Sequence, residues 1–252
     1  MSISKQAAIS EAGALAGTAR QAAKPMTWSR KTALWAGIFY ILTFVSIPTL
    51  VIYGPAKSAN YMLGAGPDTS AIIGGILEII VALAGIATAV VLFPVLKKQS
   101  EGAALGLVAS RVLEASAIFL GVAFILSIVT LRQAGAGAGA LVTSNVLVTL
   151  YDRIFLVGPS FMPAIDDLLL GFLLYKSRLV PRALSLIGIV GGPVLLVGYL
   201  AILFGLIDPA GALKGLFAIP VAVFELSLGI WLVVKGFNSS AVVSLAQKPA
   251  SW

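Results

Sequence analysis

The stretch that decides the fold is residues 103–131, AALGLVASRVLEASAIFLGVAFILSIVTL, in which Arg111 and Glu114 are the only charged residues. A helix needs about 20 mainly apolar residues to cross the hydrocarbon core of a bilayer, and this run exceeds that length. Runs of the same kind recur at about 33–53, 71–93, 146–175, 183–207 and 213–234. Turn-rich joints divide them: YGPAKSAN (53–60), FPVLKKQSEG (93–102), RQAGAGAGA (132–140), YKSRLVPR (175–182) and IDPAG (207–211). The pattern predicts an all-α integral membrane protein. A bundle of six transmembrane helices occupies residues 32–235, between tails at 1–31 and 236–252.

Composition leads to the same class. Of 252 residues, 59% are hydrophobic and 11% charged, against about 25% charged in a soluble domain. The net charge of +7 comes from bases scattered at the ends of the apolar runs, which points to topology rather than to a nucleic-acid partner. There is no Cys and no His. Disulfides, thiolate nucleophiles and the usual general base near neutral pH are therefore excluded. The first 31 residues lack the compact apolar core of a signal peptide and read as a mostly disordered cytosolic tail ending in Arg30-Lys31. Residues 236–252 read as a shorter tail of the same kind.

Twelve Lys and Arg residues fall on one side of the six spans (Lys97, Lys98, Lys176, Arg178 and Arg182 among them), against Lys57, Arg132 and Lys214 on the other. Cytoplasmic loops carry the excess of positive charge, which predicts cytoplasmic N- and C-termini. The fourth run is long and contains GPSFMP (158–163), with Pro159 and Pro163 one turn apart. Two short crossings there would reverse every later loop and spoil the charge asymmetry. One tilted or broken helix is the expectation.

Eight charged residues lie inside the runs: Glu78, Glu114, Asp152, Asp166, Asp167, Glu225, Arg111 and Arg153. A charge at the bilayer centre costs about 2.5–3.5 kcal/mol on insertion scales, so such residues face protein or water. Small residues at helical spacing run through three glutamates. The stripes are Ala71-Gly75-Glu78-Ala82-Gly85-Ala89, Ala103-Gly106-Ser110-Glu114-Ala117-Gly121 and Gly215-Ala218-Ala222-Glu225-Gly229. Such stripes let membrane helices pack closely. Arg111 precedes Glu114 by one turn. Either the pair only fixes helix packing, or Arg111 holds an anionic ligand or tunes neighbouring carboxyls. Asp152-Arg153 fits an outer membrane surface. Asp166-Asp167 follows the proline pair, and interrupted helices of this kind line transporter sites, although a proline also simply kinks a helix. The acids outnumber the bases, so the surplus carboxyls must be neutral, hydrated or bound to a cation.

Enzyme motifs are weak. Tyr151-Asp152 matches half of an intramembrane aspartyl protease signature, but the second Gly-x-Gly-Asp half is missing. No Gly-x-Ser-x-Gly, phosphate loop or metal-ligand cluster appears, so no catalytic residue, cofactor or metal is assigned.

The phrases GIFYILTFVSIPTL (37–50), GGILEIIVALAGIATAVVLFPVLKKQ (74–99), GLVASRVLEA (106–115), FLVGPSFMP (155–163), LLLGFLLYKSRLVPR (168–182) and FELSLGIWLVVKGF (224–237) resemble a bacterial family known as domain of unknown function 4386. The resemblance implies a multi-pass bacterial membrane protein with recurring charged positions at Glu78, Arg111, Glu114 and Glu225. The resulting expectation is a small transporter or proton/cation-linked permease of the bacterial plasma membrane. Its partners are the lipid bilayer and a small solute or ion, with no nucleic acid. Its ligand- or proton-binding residues are Glu78, Arg111, Glu114, Glu225 and Asp166, with Asp152 and Arg153 secondary. The alternative is a structural or regulatory membrane protein whose cluster only fixes packing.

Overall fold

The computed structural model of the chain describes residues 26–64, 67–209 and 211–247. Residues 1–25 of the expected N-terminal tail, and 248–252, lie outside the described residues. Among the described residues every regular element is helical. Helix α1 (Trp28–Thr43) begins where Thr27 caps it, its Oγ1 accepting from the Arg30 N–H at 3.3 Å. The expected span 33–53 does not continue as one helix. A 3-10 turn (Phe44–Ser46) and two short turns, Thr49–Ile52 and Gly54–Lys57, follow. Pro48 and Pro55 supply no N–H there and crowd the preceding turn.

The remaining helices are α2 (Thr69–Leu96), α3 (Glu101–Gln133), α4 (Leu141–Val157), α5 (Met162–Ser177), α6 (Arg182–Leu203), α7 (Ala212–Val234) and α8 (Ser239–Ala246). At the start of α3, Ser100 accepts from the Ala103 N–H at 3.4 Å, and Glu101 meets the positive end of the helix dipole. Five stretches are long and apolar enough to cross a membrane: α2, α3, the joined α4–α5 stretch Gly137–Ser177, α6 and α7. Their outward faces are apolar: Leu113 is 61% exposed, whereas Glu114, the next residue, is 8% exposed. Only hydrocarbon makes that arrangement favourable over so much of the surface.

The helices form a closed ring. In order round it α1 packs on α2, α2 on α3, α3 on α5, α5 on α6 and α6 on α7, which returns to α1, while α4 is held by α3. Closure depends on glycine. A Cβ on Gly37 of α1 would lie 2.6 Å from the Gly229 carbonyl oxygen of α7, so the two backbones meet without a side chain between them. Helices α4 and α5 run down α3 in one direction: Tyr151 and Ile154 face Gly121, Gly158 abuts Ala117, and Leu169 faces Gly106. The expected single tilted or broken helix is therefore a broken one, interrupted at Gly158–Phe161 where Pro159 removes a donor.

Of the small-residue stripes, that of α2 is buried throughout and that of α3 is buried or half-buried. The stripe of α7 departs from expectation in part: Gly229 packs on α1, but Gly215 and Ala222 are exposed, and the rest of the packed face is Val221, Phe224, Leu228 and Leu232. The bulk of those side chains fills the space against α1 and α6, and turns the small face elsewhere. A second correction concerns the tail 236–252, which contains α8. Asn238 caps it, accepting from the Ser240 N–H at 3.2 Å, and the Asn238 N–H donates to the Leu179 carbonyl at 2.8 Å. Ala241 and Leu245, four residues apart, join the apolar core at that end, so an amphipathic helix docks where disorder was expected.

This end of the ring holds the start of α1, the α2–α3 and α5–α6 turns and the end of α7, with Arg30, Lys31, Lys97, Lys98, Lys176, Arg178, Arg182 and Lys235. Arg30 donates to the Leu232 and Val233 carbonyls at 2.7 and 2.5 Å. At the opposite end Asp68 receives Tyr61 Oη at 2.5 Å, Arg132 Nη1 at 2.9 Å and Gln133 Nε2 at 3.0 Å. These hydrogen bonds, Tyr61 first, and then the Arg132 charge hold the Asp68 carboxyl below the usual carboxylate range. A lowered folded value means the strap's contribution is complete above the unfolded value and is lost as pH falls through the folded one. The melting temperatures of the wild type and Asp68→Asn should therefore differ by a constant amount above about pH 5 and converge below about pH 4.

Candidate functional site

The one-turn spacing of Arg111 and Glu114 puts both on the inner face of α3, where Arg111 Nη1 donates to Glu114 Oε2 at 3.0 Å. The ring brings three further carboxyls to the same guanidinium. From α7, Glu225 Oε1 accepts from Arg111 Nη2 at 2.6 Å. From α5, Asp166 Oδ2 lies 3.4 Å from Nε and Asp167 Oδ1 lies 4.0 Å from Nη2. The Tyr40 ring of α1 covers the group, with its centroid 5.7 Å from the guanidinium carbon.

One positive charge thus faces four carboxyls, all buried or nearly so. Four ionised carboxylates would leave a large net negative charge in a poorly solvated interior, so protons or a bound cation must offset it. The bonding is uneven. Glu114 and Glu225 hold Arg111 through hydrogen bonds, whereas Asp166 and Asp167 lie beside it without hydrogen-bonding it. Arg111 Nε, 3.4 Å from Asp166 Oδ2, likewise makes no hydrogen bond. Buried carboxyls gathered this closely round a single base are costly unless a proton or a cation balances them.

A cavity of about 280 Å³ opens on one side of the cluster. Glu78, Arg111, Glu114 and Glu225 line it together with Ser160 and Tyr199. Asp166 and Asp167 are completely buried and stand away from it. Arg111 therefore separates carboxyls that face open space from carboxyls that do not. The small side of α7, with Ala218 and Ala222, also faces this cavity, so that only its Gly229 end packs against a helix.

The structure gathers Arg111, Glu114, Glu225 and Asp166 as one cluster and treats Glu78 differently. Glu78 shares the cavity but makes no ion pair with Arg111; its Oε1 accepts from Tyr151 Oη at 2.9 Å and its Oε2 from Tyr53 Oη at 3.2 Å. Asp152 and Arg153 stand apart from the cluster and are exposed, and Asp152 pairs with Lys57. Both line a second cavity of about 640 Å³ at the end opposite the basic one. Among the described residues no group of three or more acids converges as metal ligands would.

Sequence reasoning missed Asp167 as a site residue. Adjacent helical positions point about 100° apart, so one of two neighbouring acids is normally expected to face outward. Helix α5 packs on α3 and α6 and also touches α2 and α7, which leaves neither carboxyl a lipid-facing direction. The only signal in the sequence was the absence of any base close to the pair. Tyr53 and Tyr151 were missed as partners of Glu78 because a tyrosine at the end of an apolar run looks like an interfacial anchor.

The model of the family described as domain of unknown function DUF4386 matches residues 35–236. No curated protein and no solved structure matches the chain. The matched segment runs from α1 to the end of α7 and contains every residue of the cluster, and the chain belongs to that family.

Removing one partner of a buried ion pair costs about 3–5 kcal/mol, because the remaining charge is left without compensation. Arg111→Met should therefore lower the melting temperature in detergent far more than Glu225→Gln, which keeps an acceptor for the guanidinium. Equal, small shifts for both would show that the cluster does not hold the bundle.

Proposed function

We propose that this DUF4386 protein is a small transporter or proton/cation-linked permease of the bacterial plasma membrane. In this reading the chain crosses the bilayer six times. The interrupted segment from α1 to Lys57 makes the first crossing, and α4 with α5 makes the fourth. Both termini are cytoplasmic, in keeping with the bases gathered at the end that holds Arg30, Lys97 and Arg182. The observation that carries the reading is four carboxyls around one guanidinium beside a cavity within the apolar bundle. A site whose charge balance demands a proton or cation is suited to exchanging one. Glu114 and Glu225 are the exchanging groups, Arg111 their shared counter-charge, and Asp166 an acid behind it.

A second reading is favoured by the hydrogen bonds themselves. Arg111 joins α3 to α7 through Glu114 and Glu225, and that clamp alone would lock the ring. In that case the protein is a structural or regulatory membrane component.

Proteoliposomes carrying a pH-sensitive dye separate the two. Transport predicts that the wild type dissipates an imposed pH gradient at least tenfold faster than Glu114→Gln at equal reconstitution. The clamp predicts no flux from either, with a lower melting temperature for the variant. The crossings themselves are tested through the absence of native cysteine. Single cysteines at Gln99 and Ser177 should react from the cytoplasmic face only, and those at Lys57, Ala138 and Gly211 from the other. Reaction of Gln99 and Ser177 from opposite faces would eliminate six crossings.

A further inference from the structure

Two cavities lie end to end in the half of the bundle away from the basic end. The inner one, beside Arg111, and the outer one, at the mouth between Lys57, Asp152 and Lys214, share Thr49 and Phe155 in their walls. Glu78 lines the inner cavity only, and Tyr53 and Tyr151 line the outer one only. The two hydrogen bonds from these tyrosines to Glu78, at 3.2 and 2.9 Å, therefore run across the boundary between the two spaces. The rings stand edge to face with centroids 5.4 Å apart, so they close the passage as a pair. Lys57 caps the arrangement, its Nζ 5.0 Å above the Tyr151 ring while it pairs with Asp152.

The three residues differ in what holds them. Glu78 sits in the interior of α2, a continuous helix of 28 residues. Tyr53 sits between two short turns, in the interrupted segment. Tyr151 is on α4, the half-helix that ends at the Gly158 break. The tyrosines are thus carried by pieces bounded by helix breaks, and Glu78 by one continuous helix. At the basic end a cavity of about 420 Å³, lined by Lys176, Arg178 and Arg182 among others, touches none of the cluster residues. Leu92, Leu96, Leu107, Leu170, Leu174 and Leu232 fill that half, none more than 1% exposed.

We infer that Glu78 is a gating residue. By accepting the Tyr53 and Tyr151 hydroxyls it holds shut a polar entry route, leading from the Lys57 end to the cavity of Arg111, Glu114 and Glu225, for water and small polar solutes. The side opening of that cavity, past Ile47 and Ala222, lies on the apolar flank of the bundle. Breaking either hydrogen bond frees a tyrosine to swing and joins the two cavities. The packed leucines keep the basic end sealed meanwhile, so access is one-sided. The inference rests on the transport reading for its purpose only, because access to a cavity can be measured without any flux.

The test uses single cysteines in the naturally cysteine-free chain and a membrane-impermeant methanethiosulfonate reagent applied to either face of membrane vesicles. Ala82→Cys and Ala115→Cys report the inner cavity, Thr149→Cys the outer one and Leu107→Cys the leucine seal. The inner reporters should react from the face that labels Thr149→Cys, slowly in the wild-type background. They should react about fivefold faster with Tyr151→Phe or Tyr53→Phe, the population change that loss of one buried hydrogen bond produces. Leu107→Cys should stay unreactive from both faces. Reaction of the inner reporters equally from both faces, or faster from the basic face, overturns the one-sided route. A rate unchanged by both Tyr→Phe variants, in protein that melts like the parent, overturns the gate. Because the readout is labelling, a gate that behaves as described in a protein without proton flux would defeat the transport reading alone.

Discussion

A guanidinium buried in an apolar bundle persists only when its charge is met from several sides, and that requirement organises this molecule. Arg111 is paired within α3 by Glu114, across the ring by Glu225 of α7, and from α5 by Asp166 and Asp167. Desolvating that charge costs several kcal/mol unless each partner arrives in register. Three helices are therefore fixed in rotation and height by one side chain. The closure of α7 on α1 at Gly37 and Gly229 brings Glu225 within reach while Tyr40 covers the guanidinium. A ring left open there would leave Arg111 with fewer carboxyls and a wetter, looser centre.

The cluster is lopsided, and the lopsidedness is its chemical content. On the cavity side the carboxyls are hydrogen-bonded to Arg111; on the sealed side they are near it without a hydrogen bond. The interruption between α4 and α5 underlies this. A straight helix through residues 146–175 would follow α3 along a single face, whereas the break at Gly158 re-aims α5 so that it lies among four other helices. Both acids that follow the break are then enclosed. The rest of α5 packs with Leu170, Leu173 and Leu174 in the apolar core.

The two ends of the bundle differ in kind. The basic end is closed by leucines and by α8, which docks beneath them. The other end is built from tyrosines, threonines and ion pairs around two cavities. Close packing and polar access are incompatible in the same volume, because a dry leucine core has no group to solvate a passing ion. Their separation along the axis keeps the packed core and the polar cavities from competing for the same volume.

The class of the protein, its apolar runs and the charges within them follow from residue order alone, because a bilayer imposes a length and a polarity on every crossing. The bases gathered at one end were legible for the same reason, and so were the inward faces of Glu78 and Glu114, since helical period ties a residue to its stripe. Pairing was not legible. Small stripes say which side of a helix can approach another, but not which helix comes or at what height. Thus Glu78 leaves Arg111 for two tyrosines, and Asp167 enters the cluster unannounced. The stripe of α7 meets α1 only at Gly229 and borders a cavity at Ala218 and Ala222, and α8 folds in a segment expected to be loose. Those outcomes depend on side-chain bulk and on the breaks at Pro48 and Gly158. The balance is struck among helices distant in sequence, and only the assembled ring decides it.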